Sequence, residues 1–183
     1  MGRKTKVTVI SPSYFPAMIF GGPAVAVKTF VDVLRHSASV KVITVRSGLS
    51  NNEANALLED ANLQLLQYFG APISKSKINR FFSDIGLIFK AISKSDYVYF
   101  RALWNPLTYL GVVLCLITRR RYIIASTGKI AALQNQLIAK KRSILKRFAD
   151  IVITYPVLRF ADRIHSTGLL QCDHDFAGRC RAC

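Results

Sequence analysis

The sequence predicts an α/β domain, one mostly parallel sheet with helices on both faces, and three observations carry that expectation. Short runs rich in valine, isoleucine and tyrosine recur along the chain, as at 6–10, 40–45 and 96–100, and each reads as a strand. Segments of helical period separate them. The first run leads through Gly21-Gly22-Pro23 into the apolar-periodic stretch 24–36, which is the order strand, glycine turn, helix. Such alternation implies right-handed crossovers, and ligands of such sheets sit at the carboxyl ends of the strands.

The first loop is the place where backbone chemistry points outward. Lys6-Val7-Thr8-Val9-Ile10 runs into Ser11-Pro12-Ser13-Tyr14-Phe15-Pro16 and then Phe20-Gly21-Gly22-Pro23. A glycine pair before a helix lets the backbone approach a ligand closely, and the helix N-terminus adds about half a positive charge there. The loop is therefore a candidate seat for a phosphate or a sugar hydroxyl. Its spacing is neither Gly-x-Gly-x-x-Gly nor Gly-Lys-Ser/Thr, so neither the dinucleotide fingerprint nor the NTPase phosphate loop applies. A simple turn with Pro23 near the first helical position explains the same residues.

The remaining elements follow in order. The stretch 40–45 alternates as a second strand, and 47–60, with Gly48, Asn51, Asn52 and Asn55, reads as a surface loop or short helix. A third strand is expected over 63–69, a linker over 72–77, and a helix over 78–92. The apolar spacing of Phe81, Phe82, Ile85, Ile88, Phe89 and Ile92 supports that helix. A strand over 96–100, a helix over 106–118 and a strand over 122–125 come next. A long basic helix is expected from about 133 to 160, with a kink or break at Pro156, and a last short strand over 163–166. Three loops then lie at strand carboxyl ends: 11–23, 101–106 and 126–130.

At 183 residues the chain is long enough for one such domain with a good core. Half of it is hydrophobic and only 20% charged, which argues for a folded domain rather than disorder. The net charge of +16, from 26 Lys and Arg against 10 Asp and Glu, is unevenly spread. No acidic residue occurs from Tyr97 to Ala149. Such a field attracts anions. No zinc-finger spacing or RNA-binding aromatic motif accompanies it, so no nucleic-acid partner is expected. Lys140-Lys141-Arg142 and Lys146-Arg147 lie among Leu133, Leu137, Ile138, Ile144, Leu145 and Phe148, the make-up of a basic amphipathic helix. That helix suits an anionic membrane surface as well as it suits packing on the sheet.

Several other readings are excluded or weakened. The uncharged window between Arg101 and Arg119 is shortened by Pro106 below the roughly 20 residues a bilayer requires, so a core helix is expected there. Residues 2–6 are basic but lead into a strand and a proline loop, so the expected location is cytoplasmic, with peripheral attachment to the inner face of the cell membrane. Cys115 lies in an apolar helix and reads as core. Cys172, Cys180, Cys183 and His174 have zinc-type chemistry but no recognised zinc spacing, and no metal is expected. His36 and His165 read as structural, and no Gly-x-Ser-x-Gly elbow or carboxylate pair is present.

Four segments in this order are Ser11-Pro12-Ser13-Tyr14-Phe15-Pro16 with Gly21-Gly22-Pro23, Leu103-Trp104-Asn105-Pro106-Leu107, Ala125-Ser126-Thr127-Gly128, and Ala161-Asp162-Arg163-Ile164-His165-Ser166-Thr167. On them the chain resembles the N-terminal, acceptor-side domain of the retaining GT-B fold glycosyltransferases of family 4. The resemblance implies a single Rossmann-like domain over 1–167, half of a GT-B fold, and a tail over 168–183 that falls outside the family pattern. It also implies transfer of a sugar from a nucleotide-sugar to an acceptor in polysaccharide or lipopolysaccharide synthesis. The nucleotide-sugar is then a co-substrate, and no cofactor is expected.

By the same resemblance Gly21 and Gly22 present N–H groups near the donor diphosphate or transferred sugar, and Asn105, Thr127 and Gly128 line the cleft. Thr127 stands where the family's Ser-Pro-His-Gly segment has histidine, and a threonine cannot act as an imidazole. Arg101 and Lys129 are candidates to attract an anionic, lipid-linked acceptor. The family's second domain binds the donor with a Glu-x7-Glu pair, whereas the two glutamates here are Glu53 and Glu59. The chain is therefore expected to be truncated or frame-disrupted, inactive alone, and completed by a separate C-terminal domain. The alternative is a non-catalytic basic module that docks on anionic membrane or a partner subunit.

Overall fold

The computed structural model describes residues 3–17, 22–46, 49–66, 78–103, 105–126 and 155–166. Within them the chain runs β1 (Lys6–Ser11), α1 (Gly22–Ser37), β2 (Ser39–Val45), α2 (Asn51–Leu58), β3 (Leu63–Leu66), α3 (Ile78–Ser93), β4 (Tyr97–Phe100), α4 (Pro106–Ile117), β5 (Arg121–Ser126), α5 (Tyr155–Arg159) and β6 (Arg163–Ser166). The strands form one sheet in the order β3-β2-β1-β4-β5-β6, and every pairing is parallel. This is a doubly wound, Rossmann-like order, with its topological switch point between β1 and β4.

Because helices cover both faces, consecutive strand residues are buried in opposite directions. Val9, Val42, Leu65, Tyr99 and Ala125 join Val27 and Val31 of α1 and Ala54 of α2 in one core. Ile10, Ile43, Leu66, Phe100, Tyr122 and Ile124 join Ile88 and Ile92 of α3, Leu107 and Cys115 of α4 and Val157 of α5 in the other. Each such side chain contributes about 1.5–3 kcal/mol on burial, so the valine and isoleucine runs of β1, β2 and β5 hold the two layers together. α4 packs tightly on the sheet at Gly111, where a Cβ would collide with Cε1 and Cζ of the Phe100 ring. Glycine is required there by space.

Polar contacts fix the layers at the amino-terminal edge of the sheet. The Asp96 carboxylate accepts a hydrogen bond of 2.8 Å from the Lys6 N–H and pairs with Arg3 at 3.2 Å. Both hold its carboxyl below the usual range, the Lys6 N–H most strongly. Beside it, the buried hydroxyls of Thr8 and Ser95 meet at 2.5 Å, and Ser95 donates on to the Ala91 carbonyl at 2.8 Å.

Most predicted elements are present among the described residues. The asparagine-rich stretch after β2 holds α2, started by a capping box in which Glu53 N–H donates to Ser50 Oγ at 3.3 Å and Ser50 N–H donates to Glu53 Oε2 at 2.8 Å. The predicted third strand ends at Leu66 among the described residues, and the linker over 72–77 lies outside them. Residues 127–154, which hold most of the predicted basic helix, also lie outside. Pro156 sits in the first turn of α5, where its missing N–H leaves no helical bond unmade.

Candidate functional site

Strand order decides which loops meet. Since β1, β4 and β5 are consecutive neighbours, the loops that leave their carboxyl ends emerge side by side. The β1 and β4 loops diverge at the switch point, because α1 turns to one face of the sheet and α4 to the other. A crevice between strands that part in this way is the standard ligand position of an open parallel sheet.

Hydrogen bonds shape the described part of the loop on the β1 side. Ser11 Oγ donates to the Ser13 carbonyl at 2.7 Å, and Ala17 N–H donates to the Tyr14 carbonyl at 2.9 Å. Tyr14 is buried in the α1 layer, and that burial raises its phenol pKa. The peptide bond between Phe15 and Pro16 is cis. Gly22 then opens α1 and Pro23 follows in its first turn, so the α1 N-terminus lies at the carboxyl edge of the sheet.

The wall on the β4 side begins at Arg101, whose N–H continues the ladder to the Ile10 carbonyl at 3.1 Å. Asn105 is the N-cap of α4: its Oδ1 accepts from Leu107 N–H at 2.9 Å, and Thr108 Oγ1 donates to the Ala102 carbonyl. These bonds fix the start of α4 and tie it back to Ala102. They also commit the Asn105 carbonyl to the helix, so a ligand would meet the side chain through its NH2 donors.

Arg101 has the least usual surroundings. It shares a sheet face with Tyr99 two residues earlier, and its Nε is buried without a hydrogen-bond partner. Tyr99 Oη lies 2.6 Å from Nδ1 of His165 on β6, and Phe30 of α1 stacks on the Tyr99 ring with centroids 4.4 Å apart. Burial raises the Tyr99 pKa, although Arg101 pulls it the other way, so the phenol keeps its proton. Burial first, and then the positive charge of Arg101, hold His165 below its ordinary pKa. A neutral imidazole accepting from Tyr99 at Nδ1 is the form this environment favours. His165 therefore lies one hydrogen bond from a site cation, which sequence reasoning missed because β4 and β6 are far apart in the chain.

Of the sequence-predicted site residues, Gly22 opens α1 after β1, whereas Arg101 and Asn105 follow β4, the neighbour of β1 in the sheet. Gly21, Thr127, Gly128 and Lys129 lie outside the described residues, although β5, which leads directly to Thr127, ends beside β4. Among the described residues the arrangement offers a cation, backbone and amide N–H groups, and no carboxylate pair or free nucleophile. It is suited to holding an oxygen-rich anion rather than to moving protons. Among the described residues no three His, Cys, Asp or Glu side chains cluster as a metal would need. Cys172, His174, Cys180 and Cys183 lie outside them. Cys115 is fully buried in α4, with its thiol pushed up to about 12 by burial.

No protein-family model matches the chain, and neither does any curated protein. Solved structures do resemble it. MurG of Acinetobacter baumannii superposes with a TM-score of 0.48 at 12% identity, over 88% of this chain and 41% of that one. A protein of unknown function from Vibrio parahaemolyticus gives 0.49 at 10%, over 92% of this chain and 98% of its own. A Listeria monocytogenes protein described as a UDP-N-acetylglucosamine 2-epimerase gives 0.47 at 10%, over 90% of this chain and 40% of its own. The chain thus spans about two fifths of MurG and of the epimerase.

Proposed function

We propose that this chain is the acceptor-side half of a family 4 GT-B glycosyltransferase that transfers a sugar from a nucleotide-sugar to a lipid-linked acceptor in polysaccharide or lipopolysaccharide synthesis. The observation that supports the reading is strand order: β1, β4 and β5, the strands that lead into the first three quoted segments, are consecutive neighbours, with the switch point between β1 and β4. In this reading the α1 N-terminus, opened by Gly21 and Gly22, faces the donor diphosphate or the transferred sugar. Arg101 and Lys129 attract the acceptor phosphate, and Asn105, Thr127 and Gly128 complete the wall. The donor glutamates belong to a second domain, supplied separately, and the work is done on the inner face of the cell membrane. A separately encoded partner would then restore turnover.

The test has two arms. The purified chain alone should show no appreciable glycosyl transfer, and adding a family 4 C-terminal domain should restore it; turnover without a partner would overturn the half-enzyme reading. Calorimetric titration with a polyprenyl phosphate analogue should show binding that Arg101→Ala weakens by about tenfold or more, the scale of a charge-assisted hydrogen bond. Equal binding by the variant would remove Arg101 from the site.

A further inference from the structure

The carboxyl end of the sheet carries a polar row on the α1 face. Thr44 of β2 is in register with Ser11 of β1, Ala125 of β5 is in register with His165 of β6, and Arg101 directly follows the Phe100 that pairs with Ile10 and Ile124. Thr44, Ser11, Arg101, Ala125 and His165 therefore share one row. The row beneath it, Val42, Val9, Tyr99 and Ile123, is apolar except for the Tyr99 hydroxyl. That hydroxyl lies 2.6 Å from Nδ1 of His165, and between Arg101 and His165 the upper row holds only the methyl group of Ala125.

The row contains a cation with an unmade bond. Arg101 Nε is buried without a hydrogen-bond partner, and no carboxylate stands in the row to supply one. A buried charged donor left unpaired is costly, and an oxyanion is the acceptor that suits a guanidinium. The same guanidinium bears on both members of the Tyr99–His165 pair. Burial raises the Tyr99 pKa and Arg101 acts against it, whereas burial and then Arg101 both lower that of His165.

The other elements packed around the imidazole bring little charge to it. From α1 the residue against it is Phe30, with ring centroids 6.3 Å apart, and Lys28 and Asp32 of that helix pair with each other at 2.7 Å. From β5 it is Ala125; Arg121 of that strand lies at the amino-terminal edge, where its Nη1 donates to Tyr97 Oη at 3.3 Å. On β6 itself, Arg163 stands one row below and is exposed, as is Asp162 before it. Among the described residues, Arg101 is the charge that acts on His165, and Tyr99 is the titratable group bonded to it.

We infer that His165 is the proton-dependent second cation of the Arg101 anion site, so that an oxyanion held by Arg101 binds together with a proton on His165. The inference rests on the reading of Arg101 as a phosphate contact given above, and it adds the group that regulates that contact. Without an anion at Arg101, a neutral His165 that accepts from Tyr99 is favoured, because a second positive charge beside the guanidinium is repelled. An anion on the guanidinium removes that repulsion. The imidazole then takes a proton from solvent at Nδ1, and the bond to Tyr99 reverses, Nδ1–H donating to the phenol oxygen, which keeps its own proton. By linkage, the anion makes His165 easier to protonate and acid tightens the anion. The site would hold an oxyanion as pH falls through the histidine range and release it as pH rises.

Sulfate is the probe, because unlike a phosphate ester it keeps one charge throughout the histidine range. Proton NMR of the full chain should follow the His165 ring through a pH titration in sulfate and in chloride of equal ionic strength, with His165→Gln assigning the resonance. Sulfate should raise the His165 pKa and leave His36, in the last turn of α1, as it is in chloride. Calorimetry should show sulfate binding tighter at the acid end of the range than at the alkaline end by about fivefold or more, the lower end of typical coupling between two sites. His165→Gln keeps an acceptor for Tyr99 but cannot titrate, so it should bind sulfate with the alkaline-end affinity at every pH. Arg101→Ala should lose sulfate binding and the response of His165 to sulfate, whereas Arg163→Ala should behave as the parent does. Absence of sulfate binding to the parent, a His165 pKa that sulfate leaves in place, or a pH dependence that survives in His165→Gln would overturn the inference. Weakened polyprenyl phosphate binding in Arg101→Ala, found together with no effect of sulfate on His165, would keep the sugar-transfer reading and remove only the proton linkage.

Discussion

Tyr99 of β4 and His165 of β6 are joined by a hydrogen bond of 2.6 Å that crosses the intervening strand β5. Ala125, the β5 residue in register with His165, is fully buried and contributes only a methyl group, which leaves room for the contact above it. The bond ties an edge strand to the second strand in from the edge and places an imidazole beside Arg101.

The pair makes stability depend on pH. His165 is held below its ordinary pKa, first by burial and then by Arg101, so the unfolded chain binds the proton more readily than the folded one. The contribution is fully present above the unfolded histidine value of about 6.5 and is lost as pH falls from there toward the folded pKa. Urea denaturation at a series of pH values should show this decline. His165→Gln should flatten it, and an unchanged slope in the variant would assign the decline to another group.

Acid sensitivity at the opposite edge has a different source. The Asp96 carboxyl is depressed, chiefly by the Lys6 N–H, so its contribution is present above the unfolded carboxylate pKa and disappears as pH falls through the lower folded value. Asp96→Asn should shallow the acid limb of the same denaturation series while leaving the histidine limb intact.

Two helical glycines should respond to alanine with opposite signs. At Gly111 a Cβ meets the fully buried Phe100 ring, and Gly111→Ala should destabilise by about 1–3 kcal/mol despite the better helix propensity of alanine. At Gly86 nothing lies within 4 Å of an added Cβ, so Gly86→Ala should stabilise by roughly 0.5–1 kcal/mol. Thermal melting of the two variants decides both.

Asn105 separates a structural role from a binding one. Asn105→Ala should cost about 1 kcal/mol through the lost cap of α4, whereas Asn105→Ser keeps a capping oxygen and should hold stability within a few tenths of that. If the amide donors also serve the acceptor, Asn105→Ser should weaken binding of the polyprenyl phosphate analogue at near-parental stability. Binding that tracks stability in both variants would confine Asn105 to capping.

The alternation of β-branched runs and helical periods is a local property, and it located all six strands within a few residues, most clearly the central ones, which must be apolar on both faces to lie between two helical layers. Local chemistry likewise marked the loop at Gly22, the Asn105-Pro106 helix start and the buried Cys115. It left the stretch after β2 open between a loop and a short helix, and Ser50 and Glu53 decide for the helix against three asparagines. Only the tertiary structure decided that β4 lies beside β1 and β5 beside β4, which brings Arg101 to the switch point and His165 to Tyr99. Strand order follows from long crossovers and the packing of whole layers, for which no short stretch of sequence carries a signal. The same reason hides the exposed apolar residues of α3 and α4: in sequence they are indistinguishable from core, and only packing shows which of them the sheet leaves uncovered.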